Sequence, residues 1–92
     1  MEHTAEHIPE KQMYTVDIGD GHTAFLTYAD REGIRRILHT EVPAALRGGG
    51  YGKILMEASL RKMEEEGVKV VPICSYARIY MQRNKQWDHL QG

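Results

Sequence analysis

The first half of the chain alternates apolar and polar positions, which is typical of half-buried β-strands. Every second residue is apolar between Met13 and Ile18, and the pattern recurs from Thr23 to Tyr28 after a Gly-Asp-Gly turn. These two runs predict a β-hairpin. A third run, from Ile34 to Glu41, follows another turn. The pattern therefore predicts a three-stranded antiparallel meander.

The second half of the chain predicts a βαβ unit. Pro43 closes the third strand, because proline cannot donate to a β-ladder. Apolar positions then recur at helical spacing as far as Glu66, and Gly67 suits the left-handed cap that ends a helix. The apolar run 68–74 predicts a parallel strand covered on both faces, reached by a right-handed crossover. Ser75 is a good N-cap for a last helix.

Composition limits the chain to one ordinary globular domain. It has 92 residues, of which 41% are hydrophobic and 27% charged, with a net charge of −1. These values exclude an extended nucleic-acid surface and favour neither disorder nor a membrane protein. We predict a single domain over residues 12–92, with residues 1–11 as a flexible leader. Trp87 and Leu90 are expected to pack the tail onto this domain.

Three further expectations concern the environment of the protein. One cysteine and no apolar segment after the first methionine favour a reducing cytoplasm. A small chain with this surface predicts a monomer. His3 and His7 have the i, i+4 spacing of metal ligands, but Pro9 disfavours a helix there and further ligands are missing. We therefore expect no metal site.

A glycine-rich segment lies between the third strand and the following helix. Four glycines in five positions allow close approach of the backbone to a ligand, and a helix N-terminus binds phosphate. A Walker loop is excluded because Ile54 occupies the position of the required hydroxyl, and a dinucleotide fingerprint because Lys53 occupies that of its third glycine. The remaining pattern is Arg-x-x-Gly-x-Gly, formed by Arg47, Gly50 and Gly52. It predicts a phosphate site whose ligand the pattern alone does not name.

The order of elements, together with this loop, resembles the GNAT superfamily of acyl-CoA-dependent N-acetyltransferases. Segments 39–43 and 71–74, with Arg47 and Gly48, are similar to its small single-domain group, often called YjdJ-type. The resemblance implies a minimal GNAT-like fold of the α+β class with α/β-type layers. In that fold an antiparallel three-stranded meander precedes the βαβ unit, the phosphate loop and a C-terminal helix.

The resemblance also implies a binding mode for acetyl-CoA. In that superfamily the loop N–H groups bind the pyrophosphate of CoA, and the pantetheine arm lies in a gap between the two parallel strands. The glycines are then expected to keep side chains away from the phosphates, and Lys53 to add a mobile cation. The implied cofactor-binding residues are Glu41, Val42, Arg47, Gly48, Gly49, Gly50, Tyr51, Gly52, Lys53 and Tyr76.

Five residues are candidates for the transfer step. His39 and Glu41 can share a face of their strand, and either can accept the proton of an attacking amine. Cys74 is either a nucleophile that forms an acyl-enzyme or a small buried hydrophobe beside the thioester. Tyr80, or Tyr76 one turn earlier, can protonate the departing CoA thiolate or simply pack in the core.

We therefore expect an N-acetyltransferase that joins an acetyl group to a primary amine in a ternary complex. The acceptor, whether a small molecule or a protein, is not identified. The chain is shorter than full superfamily members, so a CoA or acyl-CoA binding module that turns over little and acts with a partner is a second hypothesis. A general nucleotide-phosphate binder is a third. None of them involves nucleic acid or a membrane.

Overall fold

The computed structural model describes residues 3–92. It contains five strands and two α-helices, together with three short 3₁₀ segments at Pro9–Lys11, Ala44–Leu46 and Lys85–Leu90. The strands are β1 (Ala5–Ile8), β2 (Met13–Gly19), β3 (His22–Arg31), β4 (Ile34–Glu41) and β5 (Lys69–Pro72), and the helices are α1 (Tyr51–Glu66) and α2 (Ser75–Arg83).

The five strands form one sheet in the order β1-β2-β3-β4-β5. The first four pair antiparallel, and β5 pairs parallel to β4 after the chain has passed through α1. The predicted meander and βαβ unit are both present, and the predicted α+β class with a minimal GNAT-like arrangement is confirmed.

The core lies between the sheet and α1, which contacts β1, β2 and β3. The predicted alternation is confirmed, because every second residue of β2 and β3 is buried. Each fully buried leucine or methionine contributes on the order of 2 kcal/mol through removal of apolar surface from water. The core side chains of these elements are Tyr14, Val16, Ile18, Ala24, Leu26, Tyr28, Leu55, Met56, Leu60 and Met63.

The N-terminal segment departs from the expected flexible leader. Ala5–Ile8 forms a strand whose residues pair with 13–16 of β2, and Ala5 is buried. The His7 ring stacks on Tyr14 at 4.3 Å between centroids and hydrogen-bonds Glu66 of α1 over 2.7 Å. The segment has few apolar residues, so its strand is stabilised mainly by ladder pairing with β2 and by the contact between His7 and Glu66. Residues 1 and 2 of the expected leader lie outside the described residues.

Two expectations for the C-terminal third are also corrected. β5 is not covered on both faces, because only Val70 of its residues is buried. It lies at the edge of the sheet. Ser75 is the first residue of α2, and Cys74 occupies the N-cap position. Trp87 and Leu90 are buried, as predicted.

The two parallel strands separate at Ile37. A register shift between β3 and β4 places Tyr28 opposite Ile37 and Thr27 opposite His39, so that one residue of β4 bulges between them. The Ile37 carbonyl accepts hydrogen bonds from the N–H groups of residues 73 and 74, at 2.9 and 3.0 Å, and the β4–β5 ladder ends there. Within the described residues, the last four positions of β4 have no ladder partner in β5. A bulge of this kind bends a strand away from its neighbour and opens space beside it.

Candidate functional site

A cavity of about 480 Å³ opens where β4 and β5 separate. It lies at the carboxyl end of β4 and the N-terminus of α1, the position where ligands bind in open sheets with parallel strands. Its lining residues are His39, Thr40, Glu41, Val42, Leu46, Arg47, Gly48, Gly50, Tyr51, Gly52, Leu55 and Tyr76. The structure thus brings most of the predicted binding residues together around one space.

The glycine-rich loop leaves the N-terminus of α1 open toward the cavity. Gly48 and Gly50 have φ angles of +89° and +82°, a backbone conformation that L-residues rarely adopt, and Gly50 is the N-cap of α1. Within residues 3–92, no side-chain hydrogen bond caps the helix, because Gly50 at the N-cap has no side chain. Free N–H donors and the positive end of the helix dipole favour an anion at this place.

The other two loop glycines have a different physical basis from the expected one. A Cβ atom at Gly49 would lie 2.7 Å from Cε2 of Tyr51, and one at Gly52 would lie 2.5 Å from Oη of Tyr76. Both positions are occupied by glycine because aromatic rings of the protein itself pack there. Keeping space for phosphates is therefore not what requires glycine at these two positions. For Gly48 and Gly50, where a Cβ would meet nothing within 4 Å, it stays a prediction.

The side chains of Arg47 and Lys53 lie in two different cavities. The Arg47 guanidinium donates from Nε to the Val42 carbonyl over 3.3 Å, which ties the loop to the end of β4, and Arg47 lines the cavity. Lys53 does not line it. Its side chain lies in a neighbouring groove between α1 and α2, together with Arg83.

His39 and Glu41 share a face of β4, as predicted from their spacing. The two atoms His39 Nε2 and Glu41 Oε1 are 3.1 Å apart, and the side chains are 57% and 46% exposed. The Phe25 ring lies 6.2 Å from the imidazole, centroid to centroid. Both side chains line the cavity, so a hydrogen-bonded acid–base pair is available at its edge.

Cys74 lies one residue behind the cavity wall. Its Sγ is 3.6 Å from Oγ1 of Thr40, and Thr40 lines the cavity while Cys74 does not. Burial raises the pKa of the Cys74 thiol, but hydrogen bonds from the N–H of Ala77, the Thr40 hydroxyl and the N–H of Tyr76 outweigh it, and the net pKa is lowered. No cationic residue lies next to Cys74 in the sequence. The N–H groups at the start of α2 lower the pKa of the thiol in place of a cation.

The two tyrosines of α2 are separated by the fold. Tyr76 is 43% exposed and lines the cavity, where its phenol rests against Gly52. Tyr80 is 6% exposed and lies outside the cavity. Burial raises the pKa of both phenols, and the nearby Trp87 side chain opposes the rise at Tyr80. Of the two tyrosines, Tyr76 and not the predicted Tyr80 is in a position to reach a ligand in the cavity.

Three further residues line the cavity, namely Thr40, Leu46 and Leu55. No catalytic or cofactor-binding role is predicted for them from the sequence. The sequence indicates these residues only by their positions, since each lies near the end of β4 or near the glycine-rich loop. They give the cavity an apolar wall and one hydroxyl.

Neither a metal centre nor a membrane-spanning helix was found in residues 3–92. No group of three or more His, Cys, Asp or Glu side chains is arranged to hold a metal ion. Neither α-helix is long and apolar enough to cross a bilayer.

Comparison with known proteins identifies related sequences over nearly the whole chain. A family model described as GCN5-related N-acetyl-transferase matches residues 13–90. The chain is 33% identical over 91 residues to Protein NATD1 of Gallus gallus, which covers 94% of this chain and 83% of that protein. It is 32% identical over 88 residues to Protein NATD1 of Homo sapiens, covering 94% and 78%.

Proposed function

Because this chain belongs to the GCN5-related N-acetyltransferase family, we propose that it transfers the acetyl group of acetyl-CoA to a primary amine. The observation that carries the proposal is the cavity of about 480 Å³ that joins the open N-terminus of α1 to the end of β4, where β5 no longer pairs with it. An elongated ligand with a phosphate group at one end and hydrogen-bonding amides along its length fits these two features.

The loop supports binding of the pyrophosphate. The uncapped first turn of α1 supplies N–H donors, and the backbone at Gly48 and Gly50 leaves the approach open. Arg47 adds a guanidinium, whose planar donor geometry suits phosphate oxygens. Since only part of its donor capacity is used by the Val42 carbonyl, the guanidinium retains N–H groups for a ligand.

The free edge of β4 supports binding of the pantetheine arm. Residues 38–41 continue beyond the last β4–β5 pair, and an extended amide chain can add there through backbone hydrogen bonds. Leu46 and Leu55 provide apolar surface beside it. A ligand that follows this edge from the loop toward Ile37 brings its thioester close to Thr40.

The transfer step then needs a base and a proton donor. We propose that the His39–Glu41 pair accepts a proton from the amine, whose nitrogen attacks the thioester carbonyl carbon. The C–S bond breaks as the tetrahedral intermediate collapses, and the new amide leaves with the acetyl group. Tyr76 donates a proton to the CoA thiolate. Its pKa, raised by burial, keeps the phenol protonated at neutral pH.

Cys74 provides a second route to the same product. A thiolate is the reactive form of cysteine, and the hydrogen bonds that lower its pKa favour that form. In this route Sγ takes the acetyl group from CoA, and the amine then attacks the acyl-cysteine. We favour direct transfer because Thr40 stands between Cys74 and the cavity.

Binding and turnover tests separate the three hypotheses. Calorimetric titration with CoA, ATP and NAD is expected to show preferential binding of CoA, and preference for ATP would overturn the proposal. Thiol release from acetyl-CoA is then followed over a panel of amines and peptides. If CoA binds but no acceptor raises thiol release above the hydrolysis background, the protein is a CoA-binding module rather than an enzyme.

The small size of the chain, with 92 residues, is our reason to expect a monomer. We propose that the protein acts in this form in the cytoplasm. Sedimentation velocity at working concentrations tests the first point, and imaging of a tagged protein tests the second.

A further inference from the structure

The sheet is covered on one of its two faces only. The side chains under α1 occupy alternate positions of β2 and β3, such as Tyr14 and Leu26, and are fully buried. The intervening, odd-numbered residues 13–19 of β2 and 23–31 of β3 point to the other face, and none of them is buried. We call this second face, formed by these residues and their partners on β1 and β4, the open face.

One row of open-face residues crosses four strands. Glu6 of β1 pairs with Thr15, and Thr15 pairs with Phe25. Phe25 in turn pairs with Glu41 of β4. Because directly paired residues of an antiparallel sheet lie on the same face, these side chains form one line across the open face. Neighbouring strands lie about 4.8 Å apart, so the line from Glu6 to Glu41 is about 14 Å long.

The large cavity reaches both faces of the sheet around the end of β4. Thr40 pairs with the buried Leu26 and therefore lies on the covered face, whereas its neighbours His39 and Glu41 lie on the open face. Thr40, His39 and Glu41 all line the cavity. An amine that gives its proton to the His39–Glu41 pair therefore approaches from the open face.

The half of the open face next to the cavity is acidic. Glu6, Asp17 and Glu41 supply three carboxylates there, and the paired rows that contain them include no Lys or Arg. Arg31 and Arg36 lie in the rows at the other end of β4. Within residues 3–92, Glu6 takes part in no ion pair. A surface of this sign favours a cationic partner.

The middle of the row is flat and only partly exposed. Thr15 and Phe25 lie there between the two carboxylates. An aromatic ring can support the aliphatic stem of a lysine and attract its ammonium group. The row therefore offers an aromatic surface with an acidic group at each end.

We propose that the acceptor is an extended basic peptide that lies across the open face, with its reactive lysine at the His39–Glu41 pair and a second basic side chain at Glu6. An extended chain advances about 3.3 Å per residue, so the two basic residues are about four positions apart. This inference rests on the proposed function. It makes Glu6 a specificity-determining residue, which a small monoamine bound at Glu41 does not reach.

The competing explanation is that Glu6 serves the fold alone. β1 is an edge strand of the sheet, and charged side chains on edge strands prevent pairing with other chains. A carboxylate with only that role has no influence on which peptide is acetylated. The two explanations therefore differ in the dependence of peptide acetylation on the position of a second basic residue.

The first test measures thiol release from acetyl-CoA by the wild-type protein with synthetic peptides. Each peptide has blocked ends, one lysine, and one arginine placed two, four or six positions away on either side. The reference peptide has glutamine in place of the arginine. Because an exposed ion pair is weak, we expect arginine at four positions to raise kcat/KM about two- to fivefold, mainly through KM. This advantage should shrink at high salt.

Glu6→Lys tests the residue itself. The variant should lose the preference for arginine and favour a peptide with glutamate at the same position. Glu32→Lys is the matched control, because Glu32 is an exposed carboxylate in the turn between β3 and β4, at the opposite end of β4 from Glu41. It should keep the wild-type preference. Thermal melting checks that both variants are folded, and the spacing scan of the wild-type protein decides the question if Glu6→Lys is not.

The outcomes separate the two levels of the proposal. Turnover with simple amines but with none of the peptides, or equal kcat/KM at every arginine position, overturns the peptide assignment and leaves the proposed function intact. Absence of turnover with every acceptor overturns both. An arginine preference that folded Glu6→Lys retains overturns the role of Glu6. A maximum at four positions that Glu6→Lys removes and Glu32→Lys keeps supports it.

Discussion

The backbone of Gly52 lies directly against the phenol of Tyr76. A Cβ atom at position 52 would come within 2.5 Å of Tyr76 Oη and 2.9 Å of its Cζ. This contact fixes the start of α1 against the start of α2, and both helix ends border the cavity. It couples the shape of the glycine-rich loop to Tyr76, which lines the cavity together with Tyr51.

Gly52→Ala is expected to displace the Tyr76 ring and to weaken CoA binding. Because the contacted atoms are the far end of the half-exposed Tyr76 side chain, the ring can turn aside, and we expect a cost at or below the lower end of the about 1–3 kcal/mol that overpacking costs in a closed core. The better helix propensity of alanine offsets about 1 kcal/mol of that cost. Urea denaturation and calorimetric titration with CoA measure the two effects.

The control for this prediction is the Tyr76→Ala background, in which the space is vacant. There Gly52→Ala is expected to be neutral or stabilising, so the double-mutant cycle should show a coupling energy between the two positions. Additive effects would contradict the contact.

Gly50→Leu tests the loop itself. Gly50 adopts φ of +82°, so an L-residue there costs roughly 1–2 kcal/mol in backbone strain. The leucine side chain also enters the space proposed for the pyrophosphate, because Gly50 lines the cavity. We expect a clear loss of CoA affinity in a folded protein.

Gly67→Leu is the matched control, since Gly67 has φ of +75° at the opposite end of the same helix. It should destabilise the protein to a similar degree, as measured by thermal melting, and leave CoA affinity unchanged. Equal CoA affinity in Gly50→Leu and Gly67→Leu would show that the loop is not the phosphate site.

The elements that sequence reasoning located are those whose signal is local. Alternation of period two is visible within six residues, which is why β2 and β3 were predicted close to their observed bounds. The bounds of β4 were set instead by the turn before Ile34 and by Pro43 after it. The helix α1 is bounded by Gly50 and Gly67, which both adopt the left-handed conformation. In each case the residues that determine the element lie within it or directly beside it.

The parts that were missed depend on distant contacts. β1 is polar, and its His7 finds a partner in Glu66, fifty-nine positions later. The lowered pKa of Cys74 depends on Thr40, thirty-four positions earlier, and on N–H groups freed by the start of α2. Local patterns contain no information about such pairs, so the sequence located the glycine-rich loop at the start of α1 but not the surroundings of the thiol.

Cys74 is expected to react with iodoacetamide at a lower pH than an ordinary cysteine. Hydrogen bonds from Ala77, Thr40 and Tyr76 lower its pKa despite burial, so a larger fraction is thiolate at neutral pH. Thr40→Val removes one of these bonds and should shift the alkylation profile to higher pH. An unchanged profile in this variant would mean that the hydroxyl does not act on the thiol.

Replacing Cys74 distinguishes between the two routes of acetyl transfer. If the acetyl group passes directly from CoA to the amine, Cys74→Ala retains most of the wild-type turnover. Intact-mass analysis of the wild-type protein after incubation with acetyl-CoA then shows no added acetyl group. A mass increase of one acetyl group that is absent in Cys74→Ala, together with lost turnover, would favour the acyl-cysteine route. Thermal melting of the variant checks that it is folded.

Tyr14 is the centre of a polar cluster at the far end of α1 from the cavity. It is fully buried, donates to Glu66 over 2.5 Å and accepts from Arg35 over 2.7 Å. Tyr14→Phe leaves these two partners without the hydroxyl, and the expected cost is about 1–3 kcal/mol in the free energy of unfolding. Urea denaturation at neutral pH measures it.

The cluster also predicts how stability changes in alkali. Burial, and next the hydrogen bond to Glu66, raise the pKa of Tyr14 well above the ordinary value of 10.0. The folded protein therefore keeps this proton at a pH where the unfolded chain releases it. The stabilisation is complete below the ordinary value and is lost as the pH rises beyond it toward the folded-state pKa. Wild-type protein should thus lose more stability between neutral pH and pH about 11 than Tyr14→Phe does. Since the other tyrosines are present in both proteins, the difference isolates Tyr14, and parallel curves would show that its hydroxyl titrates as it does in the unfolded chain.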